Sequence, residues 1–141
     1  MSQENDRQLP DGWQWVKLGD VCEIIGGGTP SKARHDYYNG DILWATVRDM
    51  TGNIITETEH KITKEGLNNS SANIISKNNV VIATRVSLGK VCLLKNDTAI
   101  NQDLKGIVPI LSNQLSVQYL YYWLKSISNI IVNNGALLDF V

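Results

Sequence analysis

The sequence is poor in the residues that build covalent frameworks and metal sites. It holds two cysteines and two histidines in 141 residues. Cys22 and Cys92 both lie in apolar segments, Val21–Ile25 and Val91–Leu94, where a reduced thiol behaves as a small hydrophobe. His35 and His60 lie far apart and lack ligand spacing to either cysteine, so neither a disulfide framework nor a metal site is expected. Long apolar runs are lacking too. The best candidates, Val80–Ala83 and Ala136–Leu138, fall far short of the roughly 18 residues that a spanning helix needs. Met1 to Gln8 is polar and of mixed charge, with no apolar stretch for a signal peptide. We read residues 1–8 as a disordered leader of a cytoplasmic protein.

An excess of positive charge is also missing. The net charge of −1 argues against nucleic-acid binding, because phosphate contacts supply much of that affinity. The distribution softens the objection. Residues 1–60 hold five basic and ten acidic side chains, a balance of −5. Residues 61–105 hold Lys61, Lys64, Lys77, Arg85, Lys90, Lys95 and Lys105 against Glu65, Asp97 and Asp103, a balance of +4. A basic face on a neutral domain suits a protein that shares DNA contact with partners, and it suits an ordinary solvated surface equally.

What is present is a chain of 43% hydrophobic and 19% charged residues, long enough for one domain with a real core. After the turn signal Leu9-Pro10-Asp11-Gly12, the alternation of Trp13–Leu18 predicts a first strand. Asp20–Ile25 reads as a helical turn or a second strand. Gly26–Ser31 must be a loop, because its three glycines free the backbone and Pro30 stops any continuation. Asp41–Val47 predicts a strand ended by a turn at Arg48-Asp49, and Asn53–Thr58 a weaker one. Thr63 caps a short helical turn cut by Gly66. Asn79–Thr84 and Lys90–Leu94 predict a hairpin joined through Arg85–Gly89, with further strand at Thr98–Asn101 and Leu104–Ile110. Only then does the period change. Ser116 is placed to cap a helix whose apolar stripe runs through Val117, Leu120, Tyr121 and Leu124, then Ile127, Ile130 and Ile131, and closes at Asn133-Asn134-Gly135. The expected fold is α+β: a twisted, mixed or antiparallel sheet of short strands with a C-terminal amphipathic helix.

Several segments, taken in order, carry a resemblance. Leu9-Pro10-Asp11-Gly12-Trp13 with Val16-Lys17-Leu18-Gly19-Asp20 resembles the opening of type I restriction–modification specificity-subunit recognition domains. Gly28-Thr29-Pro30-Ser31 is similar to the loop that follows there. Gly40–Trp44 with Asp49, Gly66-Leu67 with Ser70-Ser71-Ala72, Arg85 with Gly89, Ile100–Asp103 and the tyrosine-rich Tyr119–Leu124 follow in the family's order. The resemblance implies a target-recognition domain over residues 9–135 that binds double-stranded DNA and has neither a cofactor nor an active site. It also implies modification (methylase) and restriction subunits as partners, which carry out methyl transfer and ATP-driven cleavage, and no membrane association. The family continues into a long spacer helix, so residues 136–141 are expected to be a truncated tail.

Candidate DNA contacts follow. In the glycine loop, Thr29, Ser31, Lys32 and Arg34 meet phosphates or base edges; the plain alternative is a connecting loop. A nucleotide-binding phosphate loop is excluded there, since Pro30 intervenes and Lys32 follows a serine. Thr46 and Arg48 are expected to project from one strand face, Arg48 toward a guanine or into a salt bridge with Asp49 or a neighbour. Arg85 and Ser87 in the hairpin turn are the strongest candidates, with Lys90 on the DNA backbone. Asn101 and Gln102 are amides of the kind that read adenine, or that close a turn on the main chain. Asp49 with Glu59-His60-Lys61 matches a metal-dependent nuclease pattern, but such short matches arise by chance and the segment does not read as a buried strand. A third reading is a subunit-interaction module without DNA binding.

Overall fold

The computed structural model describes residues 18–111 and 115–134, with side chains described to residue 128. The leader, the expected strand from Trp13, Gly135 and the tail at 136–141 lie outside these residues. Leu18, expected to close that strand, opens a helical turn instead (α1, Leu18–Val21) that leads into β1 (Cys22–Ile25). Both readings of the 20–25 segment are therefore realised, one after the other.

The strands divide between two sheets. The five-stranded sheet takes the order β1, β9 (Leu104–Pro109), β6 (Val80–Ala83), β7 (Val91–Leu94), β3 (Ile54–Ile55). It is antiparallel except where β3 runs parallel to β7. The four-stranded sheet takes the order β4 (His60–Ile62), β2 (Tyr38–Ala45), β8 (Thr98–Ile100), β5 (Asn73–Ile75). There β2 and β8 are parallel and the other pairs antiparallel. A five-residue helix (α2, Lys64–Asn68) follows β4, and Thr63 caps it by accepting the Gly66 amide at 3.0 Å. Gly66 sits inside this helix and does not end it.

The layers explain the sequence pattern. Val80 and Ile82 of β6 face α3 (Val117–Asn134), in a cluster with Cys22, Val91, Ile107, Leu120, Tyr121 and Leu124. Val81 and Ala83 face the other sheet, among Ala45, Ile55, Ile75, Cys92, Leu94, Ile100 and Leu104. A strand covered on both faces loses its polar alternation, and all four residues of β6 are buried. Cys22 and Cys92 are free and buried in different clusters, and burial raises the pKa of both thiols. On the far side of the four-stranded sheet, Trp44, Ile62, Ala72 and Ala99 form a third, smaller cluster.

The helix begins as expected: Ser116 accepts the Tyr119 amide at 3.1 Å. Leu120, Tyr121 and Leu124 are buried, while Tyr119 and Tyr122 are exposed. No helix among the described residues is long and apolar enough to cross a membrane.

Candidate nucleic-acid interface

The glycine loop is not free. Its backbone lies on β8, where the Gly28 amide donates to the Ile100 carbonyl at 3.1 Å. A Cβ on Gly27 would collide with the Ile100 and Asn101 carbonyl oxygens, and one on Gly28 with Ser71. The glycines are there for close approach. Two aromatic side chains then pin the loop from below. Trp44 Nε1 donates to the Gly28 carbonyl at 3.0 Å, a buried bond, and the Tyr38 hydroxyl donates to the Pro30 carbonyl at 2.6 Å. Tyr38 and Trp44 meet edge to face with centroids 6.2 Å apart, a favoured aromatic geometry.

Above this platform lies a cleft of about 680 Å³. Three of the chain segments that line it carry its candidate contacts. Thr29 and Lys32 come from the glycine loop, Thr46 and Arg48 from the end of β2, and Asn101, Gln102 and Asp103 from the turn after β8. Thr29 Oγ1 donates to Gln102 Oε1, tying the first segment to the third. The Gln102 NH2 has no hydrogen-bond partner among the described residues.

The second segment is built differently from the expectation. Val47–Asp49 is a 3-10 turn, not strand, so alternation does not set where Thr46 and Arg48 point. A capping box holds it. Thr46 Oγ1 accepts the Arg48 amide at 3.2 Å, and Asp49 Oδ2 accepts the Thr46 amide at 2.9 Å. The other Asp49 oxygen accepts the Glu59 amide at 2.9 Å, which fastens the start of β4 to the turn. The two residues share the cleft because of the cap.

Arg48 is extended into solvent, its side chain 78% exposed, with Glu59 3.7 Å away. Exposed pairs of this kind contribute about 0–1 kcal/mol, so the guanidinium exchanges partners at little cost. Asn101 is buried, and its Oδ1 accepts the Asp103 amide at 3.0 Å. That is the turn-closing role. Asp103 in turn lies 3.7 Å from Arg85.

Of the eleven candidate contacts, six line the cleft: Thr29, Lys32, Thr46, Arg48, Asn101 and Gln102. Five do not. Ser31 contributes its carbonyl to the Arg34 amide. Arg34 is bound to Asp36 at 2.7 Å and Glu65 at 3.2 Å and stacks over Tyr37, 4.4 Å from the ring centroid. Its hydrogen bonds with Asp36 hold that carboxyl below its ordinary pKa and push the guanidinium up. Arg85 stands beside the cleft through its pair with Asp103, and Ser87 takes a left-handed conformation (φ 53°) in the hairpin loop. Lys90 belongs to a different groove.

Sequence reasoning missed Tyr38, Asn39 and Val86, which also line the cleft, and weighed Glu59 and His60, which line it too, only for a nuclease pattern. Asn39-Gly40 was a usable signal: Asn39 has φ 61°, and the register of β2 against β4 shifts between Tyr38 and Ile42. The Glu59-His60-Lys61 segment is not a buried strand, as expected, but part of it is strand all the same. His60 and Lys61 lie on β4, a true strand, hidden from composition because only Ile62 of its three residues is buried. Asp49 has both carboxylate oxygens engaged by main-chain amides, and no group of three metal-ligating side chains occurs among the described residues.

This is an α+β domain that presents hydrogen-bond donors, acceptors and loosely paired cations from a loop and short turns on the four-stranded sheet, an arrangement suited to binding. The type I restriction modification DNA specificity domain family matches residues 10–137. Among curated relatives, the type I restriction enzyme MjaIX specificity subunit of Methanocaldococcus jannaschii is 31% identical over 84% of this chain and 28% of its own length. The EcoR124I/EcoR124II specificity subunit of Escherichia coli is 35% identical over 80% of this chain and 29% of its own. Among solved structures, the HsdS subunit of Thermoanaerobacter tengcongensis superposes with a TM-score of 0.70 at 25% identity, over 87% of this chain and 30% of that one. The chain belongs to the type I restriction modification DNA specificity domain family. It spans less than a third of the length of the curated relatives it matches.

Proposed function

We propose that this chain reads a short run of base pairs in double-stranded DNA as the target-recognition domain of a type I specificity subunit. It carries no active site in this reading and works in the cytoplasm. The observation that supports it best is the cleft where the glycine loop, the 46–49 turn and the 101–103 turn meet. Arg48 is the base-reading group. Its donors match guanine O6 and N7, and its exchangeable pair with Glu59 keeps it extended until DNA arrives. Gln102 adds an amide, and Lys32, which has no ion-pair partner among the described residues, adds a phosphate contact. Arg34 is already committed to two carboxylates and plays a structural part. Modification and restriction subunits supply the chemistry. The exposed face of α3 around Tyr119 and Tyr122 is the described surface that favours a protein partner.

Selection of a randomised duplex library at low salt, with and without the matching modification subunit, tests this. Enrichment of a short motif is expected. Arg48→Ala should weaken binding to that motif by roughly 5- to 150-fold, the equivalent of about 1–3 kcal/mol, and relax one base position. Failure to enrich any sequence under both conditions overturns the reading.

A further inference from the structure

A second groove, of about 640 Å³, runs between the 50–53 turn, the start of β7 and α3. Lys90 and Lys125 line it, and no carboxylate among the described residues does. The contrast with the arginines is sharp. Arg34, Arg48 and Arg85 each face an acidic side chain, whereas the two lysines are held by neutral oxygens. Lys125 Nζ donates to Asn53 Oδ1 at 3.1 Å, and Lys90 Nζ to the Met50 carbonyl at 3.4 Å. Lys125 also stands 5.9 Å from the Tyr121 ring centroid. Both ammonium groups come near enough to the buried Cys92 thiol to oppose the upward push of burial on its pKa. Two positive charges with no acidic partner among the described residues therefore converge on one spot, although they come from a strand-entry loop and from the helix.

The groove adjoins the cleft through shared walls. The chain segment that lines the cleft at Val47 and Arg48 continues into the groove at Met50–Asn53. The hairpin loop does the same, with Val86 in the cleft and Leu88–Lys90 in the groove. Gly52 and Gly89 leave the backbone open there, without side chains to bar a bulky anion.

We propose that this groove seats backbone phosphates of the DNA flanking the base pairs read in the cleft, with Lys90 and Lys125 as the paired phosphate contacts. The proposal rests on the DNA-reading function above and adds a second, sequence-independent point of attachment. Phosphate neutralisation releases counterions, so each ammonium that meets a phosphate steepens the dependence of log K on log salt by about 0.9. Lys125 is the informative position because it is an exposed residue of α3.

The test compares the full chain with Lys125→Gln, Lys90→Gln and the double variant on the selected duplex and on an unrelated one. Each single change should reduce the salt slope by about 0.9 on both duplexes, while the selected motif stays the same. Lys125→Arg should keep the slope. Lysine acetylation followed by mass spectrometry should show both side chains protected by duplex, and unprotected by inorganic phosphate at equal phosphate concentration. An unchanged slope in Lys125→Gln, with Arg48→Ala still relaxing the motif, overturns the groove and leaves the reading cleft standing. Protection by inorganic phosphate alone also overturns it. Absence of any duplex binding by the unaltered chain removes both.

Discussion

Replacing Asp49 by asparagine is the most informative single perturbation of the cleft. The change alters one atom type and removes a charge, and on surface criteria it is mild. The structure says otherwise. The two Asp49 oxygens accept two main-chain amides, from Thr46 and from Glu59, each at 2.9 Å. An asparagine side chain has one carbonyl oxygen, and its NH2 group would face an amide donor at the second position. One amide then loses its partner, and the other trades a charged acceptor for a neutral one. Bonds to charged groups contribute about 1.5–3 kcal/mol each, and neutral ones about 0.5–1.5. Both amides lie toward the surface, where water replaces part of the loss. A net cost of about 2 kcal/mol follows, or roughly 4–8 °C in Tm for a domain of this size. Urea unfolding with parallel thermal melts measures it. DNA affinity should fall further than Arg48→Ala alone, since the cap positions Arg48 and Thr46 together. A variant within about 0.5 kcal/mol of the parent, the range of an ordinary surface change, would refute the account of Asp49 as the clasp of this turn.

Two further outcomes follow from the same geometry. Gly27→Ala drives a methyl group into the Ile100 and Asn101 carbonyls, so the loop must lift off β8 and the Trp44–Gly28 bond must lengthen. Quenched or shifted tryptophan fluorescence and loss of motif selection, with the helix signal in circular dichroism retained, are expected; an unperturbed spectrum speaks against the pinned loop. The Arg34–Asp36 pair gives a pH dependence. The Asp36 pKa is lowered in the fold by its hydrogen bonds with Arg34, so its contribution is present above the unfolded carboxyl value, near 4. It is lost as pH falls through the depressed folded value. The stability difference between the parent and Asp36→Asn should therefore be present at neutral pH and shrink toward pH 2. A difference that stays constant across this range rules the linkage out.

Elements whose signals are local were legible in the order of residues alone. The glycines and Pro30 permit only a loop at 26–31. Ser116 and the 3.6-residue spacing of Leu120, Tyr121 and Leu124 specify a helix with one buried face, and the four apolar residues of β6 specify a strand covered on both sides. Hairpin β6–β7 was legible for the same reason, since its pairing is between neighbours in the chain.

Everything that depends on distant pairing emerged only with the folded chain. Nothing in residue types says that β2 lies parallel to β8, more than fifty residues later, or that the strands separate into two sheets. That pairing brings Thr46 and Arg48 beside Asn101 and Gln102, and it lets the Trp44 indole reach under the glycine loop. Short edge strands such as β4 bury one residue in three, which leaves no period to detect. Charge was the least legible property of all. Arg34, Arg48 and Arg85 look alike in sequence, but one is clamped between two carboxylates, while the others meet a single acid at 3.7 Å. Whether a cation is free to meet DNA depends on which carboxylate the fold sets beside it, and Coulomb interactions respond to distance in space rather than separation along the chain.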